Sequence, residues 1–231
     1  ANLSEQVFAK MDKAEYGDNV FHNMTLTGRN ENNQKLYLTA NFLHGNKEDE
    51  ENNTLKEYAI NLNQTSNANG DYVFRFDPTQ VKLNDVAWNI DTSEELNHSI
   101  TYRKAKGDFL IENFKIYSDD SEILVKNAVY KSAKDFEADA EIKNLQVAKL
   151  FAMQSGGNTM DFEGIANGTI QLKMNEKNLE PLVDLKVENM TMGDKDMGNL
   201  IISAKNSSTP NVFDIDAKVV SAGIIGNNNL H

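Results

Sequence analysis

Four histidines, a few acidic clusters and a single tryptophan are the residues of this chain whose chemistry could exceed packing. His22, His44, His98 and His231 are scattered. No His-x-His or His-Glu-x-x-His spacing is present to hold a metal, and no Gly-x-Ser-x-Gly to raise a nucleophilic serine. His22 stands out of phase with Phe21 in an alternating run and reads as a solvated side chain. The run "SDDSE" at 118–122 gathers carboxylates that could attract calcium. It lacks the spaced ligands and pivot glycine of a calcium loop, lies between two strand-like runs, and reads as a solvated hairpin. "KEDEE" at 47–51 reads as charge on an exposed, mobile loop, and "GDKDMG" at 193–198 as a hairpin turn. Trp88 shares its phase with Val86 and Ile90, which points to core rather than to a sugar platform. These residues specify no reaction, no metal and no cofactor: the expectation is a protein that is not an enzyme.

The elements around them are strands. Lys35 to Leu43, "KLYLTANFL", alternates apolar and polar residues, and so do Val20 to Gly28, Glu57 to Asn63, Asp71 to Phe76 and Val81 to Ile90, the last with a phase shift at Asn84-Asp85. Ser99 to Arg103, Gly107 to Ile111, Phe114 to Tyr117, Glu122 to Tyr130 and Asp135 to Ile142 follow. Asp161 to Met174, Pro181 to Asn189, Leu200 to Ala204, Val212 to Val220 and a final "AGIIG" complete about fifteen strands or more. Short polar turns join them, which favours antiparallel neighbours. Asparagine is abundant and placed mostly in turns, where it tolerates left-handed backbone.

A meander this long must curl, close or fold over its apolar face. The fold expected is all-β: an elongated antiparallel meander curled into a U-shaped trough with one short helix. That helix is read at "LQVAKLFAMQSGG", with Leu145, Val147, Leu150, Phe151 and Met153 on one face and Gly156-Gly157 ending it; its face would plug apolar surface over Val147 to Gln154. It divides the chain into an N-terminal segment, 1–144, and a repeat-like segment, 145–231, within what can still be one continuous domain.

Composition narrows the function. The 231 residues carry a formal charge of −12, with no Lys/Arg cluster, so a nucleic-acid surface is not expected. There is no cysteine, hence neither disulfide nor thiolate metal site. No run approaches the roughly 20 apolar residues that span a bilayer. The chain opens at "ANLSEQVF" without Met or leader pattern, and the expectation is a soluble piece cut from a longer protein.

From residue 136 onward a resemblance enters. "FEADAEIKNLQVAKLFAM", "FEGIANGTIQLKMN", "LEPLVDLKVENMTMGDKDMGNLIISAKN" and "FDIDAKV" resemble the repeats of the TamB / AsmA-like translocation and assembly module family, in its Bacteroidetes form. The shared order is a strand, a short helix near Leu150 and a "G…G-x-(I/L)-x-L" strand holding Gly164 and Gly168. A "P-x-(V/L)-x-L-x-(V/L)-x-(N/D)" strand from Pro181 to Asn189 follows, then a "G-x-L" strand from Gly198. Residues 136–220 carry the resemblance, and 72–130 is similar to the region preceding such repeats.

The resemblance implies an envelope protein of a Gram-negative bacterium, anchored in the inner membrane and crossing the periplasm, whose U-shaped sheet shields lipid acyl chains or apolar outer-membrane protein segments during outer-membrane biogenesis. The partners implied are phospholipid or another acyl-chain ligand and, for the full-length protein alone, an outer-membrane barrel. This sequence shows no counterpart of the anchor, so membrane attachment and barrel contact are not carried over. The expected groove lining is Leu83, Trp88, Phe109, Ile111, Phe136, Ile142, Ile170, Leu172, Met174, Val183, Leu185, Val187, Leu200, Ile202, Ile215 and Val219. Acyl chains against such a lining lose water contact at roughly 25 cal/mol per Å² buried. The rival reading is a structural or glycan-binding β domain of the envelope with a closed, dry core. A polysaccharide-acting β-solenoid would need coils of fixed period with stacked Asn, which are absent from the sequence.

Overall fold

The computed structural model of the chain describes residues 6–17, 19–30, 35–83, 86–149, 162–176, 178–207, 209, 212–220 and 228–229. They form sixteen strands and one short helix. The first part holds β1 (Gln6–Tyr16), β2 (Asn19–Asn30), β3 (Lys35–Asn46), α1 (Lys47–Glu51), β4 (Lys56–Ser66) and β5 (Tyr72–Phe76). Next come β6 (Gln80–Leu83), β7 (Val86–Ile90), β8 (Ser99–Arg103), β9 (Asp108–Ser118) and β10 (Ser121–Ser132). The chain continues through β11 (Asp135–Gln146), β12 (Phe162–Asn175), β13 (Asn178–Met192), β14 (Lys195–Asn206), β15 (Phe213–Val220) and β16 (Asn228–Asn229).

All of the strands join one antiparallel sheet in near-sequential order, an open trough in which β1 and β16 do not meet. The sheet runs without interruption through 144/145, which lies inside β11. It forks once. The near half of β9 pairs with β8 at Asp108 to Glu112, and its far half pairs with β7 at Ile116 and Tyr117. The hairpin β6–β7 hangs from that fork, which is the physical content of the phase shift at 84–85.

What bends the strands is asparagine. Asn23, Asn113, Asn144 and Asn189 sit inside strands, not turns, at φ of 51°, 51°, 48° and 51°. Each is third in an apolar–polar–Asn–apolar tetrapeptide: Phe21 to Met24, Ile111 to Phe114, Ile142 to Leu145 and Val187 to Met190. At three of them the register slips, between His22 and Thr25, Ile142 and Leu145, and Val187 and Met190. At Asn113 the slip falls on the neighbouring strand, between Val125 and Asn127. The left-handed Asn absorbs an extra residue, so apolar residues three apart, not two, both face inward. Such bulges bend a strand and sharpen its twist. Repeated on β9, β11 and β13, they curl the sheet into its trough.

Neighbouring strands clamp the bulges. Asn144 N–H donates to Asn167 Oδ1 at 2.8 Å, and Asn189 N–H to Asn199 Oδ1 at 3.1 Å. On the other flank the fully buried Ser121 hydroxyl donates to Asn144 O at 3.0 Å and accepts from Gln146 N–H. The paired glycines of β12 answer the same geometry. Gly168 has φ of +147°, and a Cβ there would lie 2.0 Å from Asp184 O.

Two expectations are corrected. The acidic run at 47–51 is helix α1, not loop: Asn46 Oδ1 accepts from Asp49 N–H at 2.7 Å and Asp49 Oδ2 from Asn46 N–H at 3.0 Å, a reciprocal capping box. Carboxylates in its first turn also suit the helix dipole. Leu145 belongs to strand β11, where it is fully buried; the helical stretch begins at Val147 and is described only to Lys149. Residues 150–157 of the expected helix, and 222–226 of the expected last strand, lie outside the described residues.

Candidate functional site

Register places the apolar residues in rungs that run across neighbouring strands on one face. One rung is Tyr72, Tyr102, Phe109, Tyr130, Phe136, Met174 and Leu179, one residue from each of β5 and β8 to β13. The next is Phe74, Ile100, Ile111, Ala128, Ala138, Leu172 and Pro181. Then follow Phe114, Val125, Ala140, Ile170, Val183, Ala204 and Ile215, and after them Ile116, Ile123, Ile142, Gly168, Leu185, Ile202 and Ala217. Leu145, Ala166, Val187, Leu200 and Val219 make the last. Fourteen of the sixteen residues expected to line a groove therefore share one face.

The other two do not line it in the same way. Leu83 pairs with Val86 through its backbone, and its side chain lies outside the described residues. Trp88 reaches over the face from β7 instead of standing on it. It is only 2% exposed and packs in a cluster with Ile142, Leu145, Ala166 and Val187. Its Nε1–H is buried and has no hydrogen-bond partner among the described residues. The hairpin thus stoppers the trough along the rungs nearest the bulges.

Away from the stopper the face is wet. Tyr72 is 40%, Phe109 40%, Tyr130 47% and Ile215 69% exposed. Total accessible surface is 15036 Å², against roughly 10,500 Å² for a compact monomer of this length. The opposite face is mixed: Glu137, Lys173 and Glu180 share one row and Glu141, Thr169 and Asp184 another, while Ile165, Leu182 and Ile201 stand exposed on it as well. A depression of about 410 Å³ bordering the second rung joins Leu172 and Pro181 to Asn127, Asp139, Gln171, Lys173 and Glu180.

The charged groups serve structure. Asp91 holds Lys115 at 2.6 Å. Burial alone would raise the Asp91 carboxyl, but the Lys115 ammonium and the Ser93 donors outweigh it and hold it at about 2. His98 is buried and accepts from Phe76 N–H at 2.9 Å through Nε2; burial, then the Arg75 charge, push its pKa down. His22 is not solvated, as its phase suggests, but lies 2.7 Å from Glu50, which also accepts from Lys13. Helix α1 puts Glu50 there, and a loop at 47–51 would hide it. Among the described residues no cluster of His, Asp or Glu could hold a metal, and no helix is long and apolar enough to cross a membrane. "SDDSE" and "GDKDMG" form the hairpin turns between β9 and β10 and between β13 and β14.

Of the aromatic members of the first rung, Phe109 and Phe136 are legible in sequence and the tyrosines are not. Tyr72, Tyr102 and Tyr130 are scattered in sequence, and only the pairing order of β5, β8, β9 and β10 brings them together. Comparison with known family models, with characterised proteins and with solved structures finds no match.

Proposed function

We propose that this chain is a non-enzymatic segment of a bacterial cell-envelope protein of the TamB / AsmA-like kind, and that its apolar face shields acyl chains on their way through the periplasm. The observation that carries the reading is the pair of facts about one face. Its rungs are continuous apolar rows across five to seven strands, and beyond Trp88 they stay partly exposed. Apolar rows of this extent are ordinarily sealed by a second layer. Left open, they suit a long, thin apolar guest, each methylene of which gains about 0.8 kcal/mol on burial. No side chain needs to react, and the residues of the five rungs are uncharged.

Displacement of a fluorescent fatty acid from the purified chain by phospholipid tests this. Saturable binding, weakened by Leu172→Glu or Leu185→Glu with the fold retained, supports it; absence of uptake overturns it. A domain with a closed, dry core is the rival, and the exposure of the first rung weighs against it.

A further inference from the structure

The first rung and the turns beside it form a surface with its own chemistry. Tyr72, Tyr102, Phe109, Tyr130 and Phe136 come from five strands adjacent in the sheet and cover about 19 Å at the usual strand spacing. Tyr102 and Phe109 have ring centroids 5.1 Å apart. Next to this row run the β8–β9 turn, "RKAKG" at 103–107, and the β10–β11 turn, "KSAK" at 131–134. They bring Arg103, Lys104, Lys106, Lys131 and Lys134 to one margin of a chain whose formal charge is −12.

Two of these cations are already committed. Arg103 pairs with Asp108 at 2.7 Å, and Lys131 with Asp135 at 3.5 Å. Lys104, Lys106 and Lys134 form no ion pair within 4 Å among the described residues, although Lys106 lies close enough to act on the Asp108 carboxylate. Lys104 Nζ lies 3.7 Å from the Tyr72 ring centroid, so a cation already sits on the aromatic row. Asp71, buried, accepts from Lys104 N–H at 3.0 Å and fixes that turn to the β4–β5 turn. The margin at the other strand ends is more acidic: its turns and connections carry Asp91, Glu94, Glu95, Asp119, Asp120 and Asp194, of which Asp91 pairs with Lys115 and Asp119 with Lys149.

We propose that the Tyr72–Phe136 row and the two lysine turns beside it dock on an anionic phospholipid bilayer. Tyrosine is enriched where an apolar ring meets a polar headgroup. Lysines near an anionic surface each add attraction that fades within a Debye length. The acidic margin opposite is repelled by the same surface, so the two margins select one orientation, with the apolar face tilted toward the lipid. The proposal goes beyond acyl-chain shielding and does not depend on it.

Sedimentation of the chain with vesicles tests it, using phosphatidylglycerol mixed with phosphatidylcholine and, separately, pure phosphatidylcholine. Expected are binding to the anionic vesicles alone, reversal by high salt, and at least a tenfold loss in the combined Lys104→Ala, Lys106→Ala, Lys134→Ala variant. Tyr130→Ser is expected to weaken binding with the far-ultraviolet spectrum unchanged, and Asp119→Asn with Asp120→Asn not to weaken it. Equal binding to neutral vesicles, indifference to the lysine substitutions, or capture by immobilised glycan in place of vesicles overturns the proposal. Fatty-acid displacement in vesicle-free solution reads the groove separately, so either idea can fail alone.

Discussion

Gly168 shows how little room single positions have. A methyl at its Cα would meet the Asp184 carbonyl at 2.0 Å, backbone against backbone, at a φ that L-residues avoid. Gly168→Ala is expected to cost more than about 3 kcal/mol in chemical denaturation. Asn144 is the complementary case, a left-handed residue on an exposed bulge. Asn144→Gly should cost little, and Asn144→Ala about 1 kcal/mol. Two titrating groups shape stability from the acid side. His98 is depressed below its ordinary range, so the unfolded chain takes up the proton first. Its contribution is complete above about pH 6.5 and is lost as pH falls through the folded pKa, when Phe76 N–H loses its acceptor. Asp91 is also depressed, to about 2. Its contribution is complete above the ordinary carboxylate range and is lost as pH falls toward about 2. Denaturant midpoints followed from pH 8 downward should fall first through the imidazole step, which His98→Gln should flatten, and then through a carboxylate step that Asp91→Asn reduces, with Glu15, Glu50, Asp108 and Glu141, also depressed, sharing the rest.

At the scale of elements, alternation alone reveals nearly every strand core, because each has one face wet. The strand ends it reveals are wrong for a physical reason. The expected ends at Ile142 and Asn189, and the apparent gap between Ile111 and Phe114, fall at the bulging asparagines. A period of two breaks there while the strand continues. The recurring apolar–polar–Asn–apolar tetrapeptide was available as a signal for a single longer strand. Strand β1 is harder to see: it is an edge with Phe8 and Met11 about half exposed, and its register slips between Val7 and Ala9. The β6–β7 hairpin is a stopper whose function lies in Trp88. Trp88→Ala should cost about 3–5 kcal/mol. Trp88→Phe should cost far less, because it keeps ring packing and removes a buried donor without a partner. In the native chain the lone tryptophan should emit at short wavelength and resist a soluble quencher until a guest displaces the hairpin.

The whole molecule is an open curved sheet with an apolar inner face and an outer face that mixes charged rows with exposed Ile165, Leu182 and Ile201. That much follows from residue pattern, and so do fourteen of the positions that share the inner face. The fork at β9, the stopper and the aromatic row do not, since each depends on which strands become neighbours. The trough has a surface far larger than a compact chain of equal length, and the guest proposed for it would lie on the inner face. Photo-crosslinking reads this most directly. A photoreactive side chain at Leu172, on the inner face, is compared with one at the next residue, Gln171, on the outer face, both against a radiolabelled phospholipid. Adducts at 172 and none at 171 are the expected result. Equal labelling at both, or none at either, would contradict a lipid-bearing inner face.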